Sequence, residues 1–278
     1  MGAPASLKIP AYFPILRQAA MPHSLQRLQA AAVCSLLLVL GASGCALREG
    51  QRQDDLRTAT PLPPENYLIL GFLGGREPWD NEKRWVRKLA LELRAERLPG
   101  VHVETLENRK RGLAMRLIHD AFDRDGNGSL DDLERSRVRL ILYGHSFGGA
   151  AVVKLARQLQ AFGIPVLLTV QIDSVGRGDA RIPPNVRRAA NLYQKQGWFI
   201  RGEAPIRAED GAKTEIIGNF RYTYDGKQID LSETSWFKKL FRVAHTKMGN
   251  DPQVWQQVEQ LIRESLGLPA SQLAPSKP

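Results

Sequence analysis

Tyr67 to Leu73 is an unbroken apolar run that ends in Gly74-Gly75, the pattern of a strand buried on both faces. After Asp80, a candidate N-cap, Trp85, Leu89 and Leu93 recur every four residues and predict a helix that Pro99-Gly100 stops. Val101 to Leu106 alternates as a strand does, and Ala114, Leu117, Ile118, Ala121 and Phe122 fall on one helical face. Val138 to Tyr143 is a second buried-strand run, followed by a helix from Phe147 to about Ala161. Gly163 and Pro165 then punctuate before Val166 to Ile172, a third such run, ends at Asp173. Strand and helix in alternation predict an α/β domain with a mostly parallel central sheet and helices on both faces.

Beyond Asp173 the pattern loosens. Tyr193, Trp198, Phe199, Phe220, Tyr222, Tyr224, Trp236, Phe237 and Phe241 crowd this part of the chain, either as the late core of the domain or as the lining of an acyl or aromatic pocket. Asp251 and Pro252 start a last helix, with Val254, Trp255, Val258, Leu261 and Ile262 on one face and Gly267 closing it.

The N-terminus reads as an address. Ala30 to Gly41 is uncharged and mostly apolar, with Arg27 before it and Ala42-Ser43-Gly44-Cys45 after it, a signal-peptide layout. A helix of that length, at about 1.5 Å per residue, falls short of the roughly 30 Å hydrocarbon core. The small residues ending at Cys45 resemble the lipobox of bacterial lipoproteins, which implies lipidation of that cysteine and anchorage in the cell envelope. Ala42 stands where that family usually has Leu, so ordinary secretory cleavage or an uncleaved anchor stays open. The expected organisation is a signal peptide over 1–44, with 1–20 an artefact of the start site, and a polar tether over 45–64. The domain follows over 65–268, and 269–278 is a disordered tail. Cys34 and Cys45 are the only cysteines, so no disulfide framework holds the domain. The net charge of +10 is scattered apart from Arg109-Lys110-Arg111, which argues against a nucleic-acid partner.

Candidate chemistry sits where the Val138–Tyr143 strand meets the next helix. Gly144-His145-Ser146-Phe147-Gly148 is a G-x-S-x-G pentapeptide placed between strand and helix, the setting in which a sharp turn lifts a serine hydroxyl above the carboxyl edge of a sheet. From Tyr67 to Leu266 the chain resembles the α/β-hydrolase superfamily, which implies that fold and a serine nucleophile with acid and base following in the order Ser, acid, His. Ser146 is then the nucleophile. His245, in the loop before the last helix, is the base that the resemblance places there, while His145 is expected to face away. Asp173 is the first candidate for the acid, with Asp210 and Asp225 competing. The oxyanion donors implied are the Phe147 amide and that of Phe72 or Leu73.

Asp123, Asp125, Asn127, Ser129, Asp131 and Glu134, with Gly128 at the bend, fit the twelve-residue EF-hand loop. Only Arg135-Ser136-Arg137 separates it from the next strand, so a structural Ca2+ clamp is expected rather than a sensor, against the plainer reading of an acidic surface loop. Together these features lead to an envelope-anchored serine hydrolase acting on an ester-type acyl substrate through an acyl-enzyme, with the membrane reached through Cys45. An acyltransferase on the same residues, or a non-catalytic calcium-stabilised lipoprotein, are the alternatives.

Overall fold

The computed structural model describes residues 50–196, 202, 205–232 and 243–268. The signal segment, Cys45, Trp198, Phe199, Trp236, Phe237, Phe241 and the tail lie outside them. The chain builds β1 (Tyr67–Leu73), α1 (Trp85–Ala95), β2 (Val101–Glu107), α2 (Arg111–Phe122), α3 (Asp132–Ser136), β3 (Leu140–His145) and α4 (Phe147–Gln160). It continues with β4 (Val166–Ile172), β5 (Arg181–Ile182), β6 (Val186–Gln194), β7 (Arg207–Ala208), β8 (Glu215–Tyr222), α5 (Val243–Gly249) and α6 (Pro252–Ser265). Six strands form one sheet in the order β2-β1-β3-β4-β6-β8, every neighbouring pair parallel, and β5 pairs with β7 alone.

The apolar runs are continuous because both faces of the sheet are covered. Successive side chains on a strand point to opposite faces. Leu68, Leu70 and Phe72 of β1 therefore join the cluster formed with α2 and α4, while Ile69 and Leu73 join the cluster formed with α1, α5 and α6. A parallel sheet also puts the carboxyl ends of all its strands on one edge. Gly74, Ser146, Asp173 and Gln194 all lie at or just past such ends.

Two departures from the sequence pattern have local causes. α1 starts at Trp85 rather than near Asp80, because the Asn81 and Arg84 amides donate to Pro78 and Asn81 carbonyls in successive turns. β6 and β8 carry too many polar residues to read as buried strands. Asn191 Nδ2 donates to Asn219 Oδ1 at 3.2 Å, and Asn219 Oδ1 also accepts from the Ile206 amide at 2.7 Å, so these polar side chains pair across the sheet.

The segment expected as a tether is folded over 50–64. It crosses the outer side of edge strand β2 as a strap, which covers backbone that an edge strand would otherwise expose. Gln51 is buried and donates to the Thr105 carbonyl at 2.8 Å. Glu104 Oε1 accepts from the Arg57 amide, the Thr58 amide and the Thr58 hydroxyl, at 2.8, 2.8 and 2.9 Å, while its Oε2 lies 2.6 Å from Arg94 Nη2. Leu62 closes the strap in the core, its amide 2.8 Å from the Ala121 carbonyl. Glu104→Ala removes a buried charge that holds both the strap and Arg94. It is expected to lower unfolding stability by about 3 kcal/mol and to open residues 50–64 to limited proteolysis; an unchanged denaturation curve with a protected strap would contradict this.

Candidate active site

Ser146 stands between β3 and α4 with φ 59° and ψ −124°, a backbone conformation that costs a non-glycine residue on the order of 1–3 kcal/mol. Its glycine neighbours explain how the bend fits. A Cβ on Gly144 would lie 2.5 Å from the Gly148 carbonyl, and one on Gly148 would lie 2.0 Å from the Phe72 carbonyl. The chain is fixed on both sides by backbone, the Ser146 amide donating to Ile172 at 2.9 Å and its carbonyl accepting from Gly149 and Val175.

Two distant segments meet this serine. His245 Nε2 lies 3.0 Å from Ser146 Oγ, and His245 Nδ1 lies 2.7 Å from Asp173 Oδ2. An ionised carboxylate only accepts, so Nδ1–H donates to Asp173 and leaves Nε2 of the neutral ring free to accept the serine proton. All three side chains are buried, Asp173 completely. Such burial strengthens each hydrogen bond relative to water.

Asp173 is held in turn. Its φ is +43°, its Oδ2 also accepts from Gln194 Nε2 at 3.0 Å, and its Oδ1 lies 3.3 Å from the Gln194 amide. Gly202 packs so closely that a Cβ there would sit 2.1 Å from Asp173 Oδ1. Asp210 is engaged elsewhere, with the Ala212 amide and Lys213, and Asp225 is exposed beyond β8. Gln194 was not legible in the sequence, since nothing marks a glutamine as the partner of a carboxylate until the strand order is known.

His145 differs from expectation. Rather than facing away, its ring stacks on His245 with centroids 4.9 Å apart and meets Trp255 edge-on at 6.4 Å. Gly249 leaves room for it, a Cβ there falling 2.8 Å from the imidazole Cε1. The four residues Ser146, His245, His145 and Trp255 line a cavity of about 150 Å3, together with Gly74, Gly75, Arg76, Glu77, Arg84, Trp85, Val86, Thr246, Gly249 and Asn250. It is small, with as much polar as apolar character in its walls.

The expected oxyanion donors lie at the end of β1 and the start of α4. Phe72 and Leu73 are wholly buried within β1, Phe72 pairs with strands on both sides, and neither lines the cavity. The strand runs to its last apolar residue, so the free backbone begins at Gly74. A Cβ on Gly74 would lie 3.0 Å from Ser146 Cβ, which puts the Gly74-Gly75 backbone beside the hydroxyl. Phe147 is the first residue of α4, and amides in a first helical turn have no acceptor within the helix.

The acidic loop lies between α2 and β3, at the opposite edge of the sheet. Carboxylate oxygens of Asp123, Asp125 and Glu134 come within 4.8 Å of one another. Asp123 Oδ1 is a buried oxygen with no hydrogen-bond partner, a fit for a cation. Burial pushes the Asp123 carboxyl up, but the Gly128 amide, the Asp125 side chain, His119 and the Gly126 amide outweigh it and hold the carboxyl below its ordinary value. Asn127 Oδ1 accepts from the Ser129 amide and hydroxyl, at 2.9 and 2.8 Å. Asp131 instead caps α3, accepting from the Glu134 amide at 2.7 Å, while Glu134 accepts from the Arg124 and Asp131 amides.

No family model matches this chain, and no curated protein matches it. It is similar in structure to a dienelactone hydrolase from Anabaena variabilis, at 12% identity over 73% of this chain and 86% of that one, with a TM-score of 0.37. It is also similar to the type II thioesterase BorB of the borrelidin biosynthetic cluster, at 12% identity over 78% of this chain and 97% of that one, with a TM-score of 0.36. A third is RedJ, solved with a PEG molecule in its active site, at 13% identity, 66% and 88% coverage, and a TM-score of 0.29. The architecture rests on the chain's own features: a six-stranded parallel sheet, helices on both faces, and a serine at the strand-to-helix elbow, as the α/β-hydrolase resemblance implies.

Gln194→Leu leaves the buried Asp173 carboxylate one donor short. It is expected to lower stability by roughly 1–3 kcal/mol in a urea titration, and an unaltered midpoint would show that the glutamine is dispensable.

Proposed function

We propose that the protein is a serine hydrolase that cleaves an ester-type acyl bond through an acyl-enzyme. One observation carries the reading: the hydrogen-bonded chain from Ser146 Oγ through His245 to Asp173, at 3.0 and 2.7 Å. Ser146 Oγ attacks the acyl carbonyl while its proton passes to His245 Nε2, and Asp173 stabilises the imidazolium that forms. The tetrahedral oxyanion is met by the Phe147 amide and the Gly74-Gly75 backbone, fixed donors that need no reorganisation as the charge develops. Collapse breaks the ester C–O bond, His245 returns the proton to the departing alcohol, and water repeats the cycle on the acylated serine. The acidic loop is proposed as a structural Ca2+ site in which Asp123, Asp125 and Glu134 hold the ion with help from Asn127, Ser129 and Asp131. The ion would supply charge neutralisation at the α2–β3 junction and takes no part in the reaction. Lipidation at Cys45 and anchorage in the bacterial envelope complete the reading.

Ser146→Ala and His245→Ala are each expected to lower kcat/KM on a p-nitrophenyl ester by about 10^4-fold or more with melting temperatures little changed. Ordinary turnover in either variant would end the assignment. Ca2+ at about a hundredfold excess over its Kd is expected to raise Tm by roughly 5–10 °C. Chelation should reverse the rise and Glu134→Gln should abolish it, so identical melts with and without chelator would reject the ion.

A further inference from the structure

The strap fixes where the chain joins the domain. At its first described residue, Gly50, a Cβ would lie 2.7 Å from Lys110 Cε and 3.2 Å from Glu107 Oε2, at the carboxyl end of β2. That is the edge that carries Ser146. Asn108, just past β2, bridges to the cavity's own loop, its Nδ2 donating to the Leu73 carbonyl at 3.0 Å and the Gly75 carbonyl at 2.6 Å. Cys45 precedes Gly50 by five residues in sequence. At about 3.6 Å per extended residue this is roughly 18 Å of chain, far less reach than a tether running freely to residue 64 would have.

Charge and polarity at this edge point the same way. Arg76 is exposed beside the cavity, and the Arg109 side chain is 59% exposed. The acids beside them are occupied: Glu107 is buried 3.8 Å from Arg109, and Glu77 lies 3.0 Å from Arg84. Glu82 is exposed but adjoins Lys83 in the same loop. Phe147 and Val243, the first residues of α4 and α5, are 47% and 46% exposed, one next to Ser146 and the other two residues before His245. Exposed apolar side chains and exposed cations on one edge match the boundary between headgroups and acyl chains of an anionic bilayer. The opposite edge also exposes Leu133 and Phe162, there beside the acidic loop.

We propose that the carboxyl edge of the sheet, with Arg76 and Arg109 toward its β2–β1 side and Phe147 and Val243 further along it, docks on an anionic lipid bilayer, so that Ser146 draws its acyl substrate from the membrane surface. The orientation deepens the hydrolase reading and rests on the Cys45 anchor for its reach, but a bilayer contact can be measured without any turnover.

The test uses the full chain with Cys34→Ser and Cys45→Ser and one new thiol carrying an environment-sensitive fluorophore. Gly112→Cys places it at the proposed edge, where a Cβ meets open space, and Phe162→Cys places it at the other. On phosphatidylcholine vesicles with about 30% phosphatidylglycerol, the Gly112→Cys label is expected to shift to the blue and be quenched by doxyl-labelled lipid, while the Phe162→Cys label stays as in water. Arg109→Glu should weaken partitioning by roughly tenfold or more on these vesicles, whereas Leu133→Glu should leave it unchanged. Quenching at Phe162→Cys, quenching at neither position, or partitioning indifferent to Arg109→Glu overturns the proposal. A catalytically dead Ser146→Ala chain gives the same fluorescence result, so failure here and failure of the hydrolase reading are told apart.

Discussion

The whole site depends on one bend that a serine would not adopt unaided. Ser146 holds a positive φ between a buried strand and a helix, and the conformation persists because backbone presses on it from three sides: Ile172 at its amide, Gly148 against Gly144, and Phe72 against Gly148. No side chain fits at the two glycines. The strain is carried by a rigid parallel sheet whose central strands are buried on both faces, so relaxing the bend would mean displacing β1 against β3 and both apolar clusters with them.

The same sheet solves the problem of bringing distant residues together. Ser146 and His245 are 99 positions apart, and Asp173 and His245 are 72 apart, yet Ser146 and Asp173 each follow a strand that ends on one edge, and His245, within α5, meets them there. Asp173 also takes a positive φ, and Gln194 at the end of β6 satisfies both of its oxygens. Two strained residues on neighbouring loops, each overdetermined by its surroundings, are what place acceptor and donor at hydrogen-bond distance before any substrate arrives.

The first half of the fold was legible because strands covered on both faces must be apolar throughout, and the glycines of the elbow are forced by contact. The strands after Asp173 were not, since Asn191 and Gln194 are interior residues whose cost is met by partners that only the strand order supplies. Phe72 and Leu73, the expected oxyanion donors, are the last residues of β1, and an apolar run cannot say where its last sheet residue stops and free backbone begins. The strap was missed for a related reason: its grip is a few polar contacts made by Gln51, Arg57 and Thr58 to β2, which in sequence look like a solvated linker. His145 was misjudged because a turn that aims Ser146 outward also swings its neighbour, and only the position of Gly249 shows that the ring has room on the same side.

The most direct measurement is the mass of the protein after exposure to a fluorophosphonate, which reacts with a serine only when a base and oxyanion donors act on it together. The account predicts a single adduct, located by peptide sequencing on Ser146 and absent from the His245→Ala chain. An adduct on another serine, or none on the folded wild-type chain in Ca2+, would contradict it.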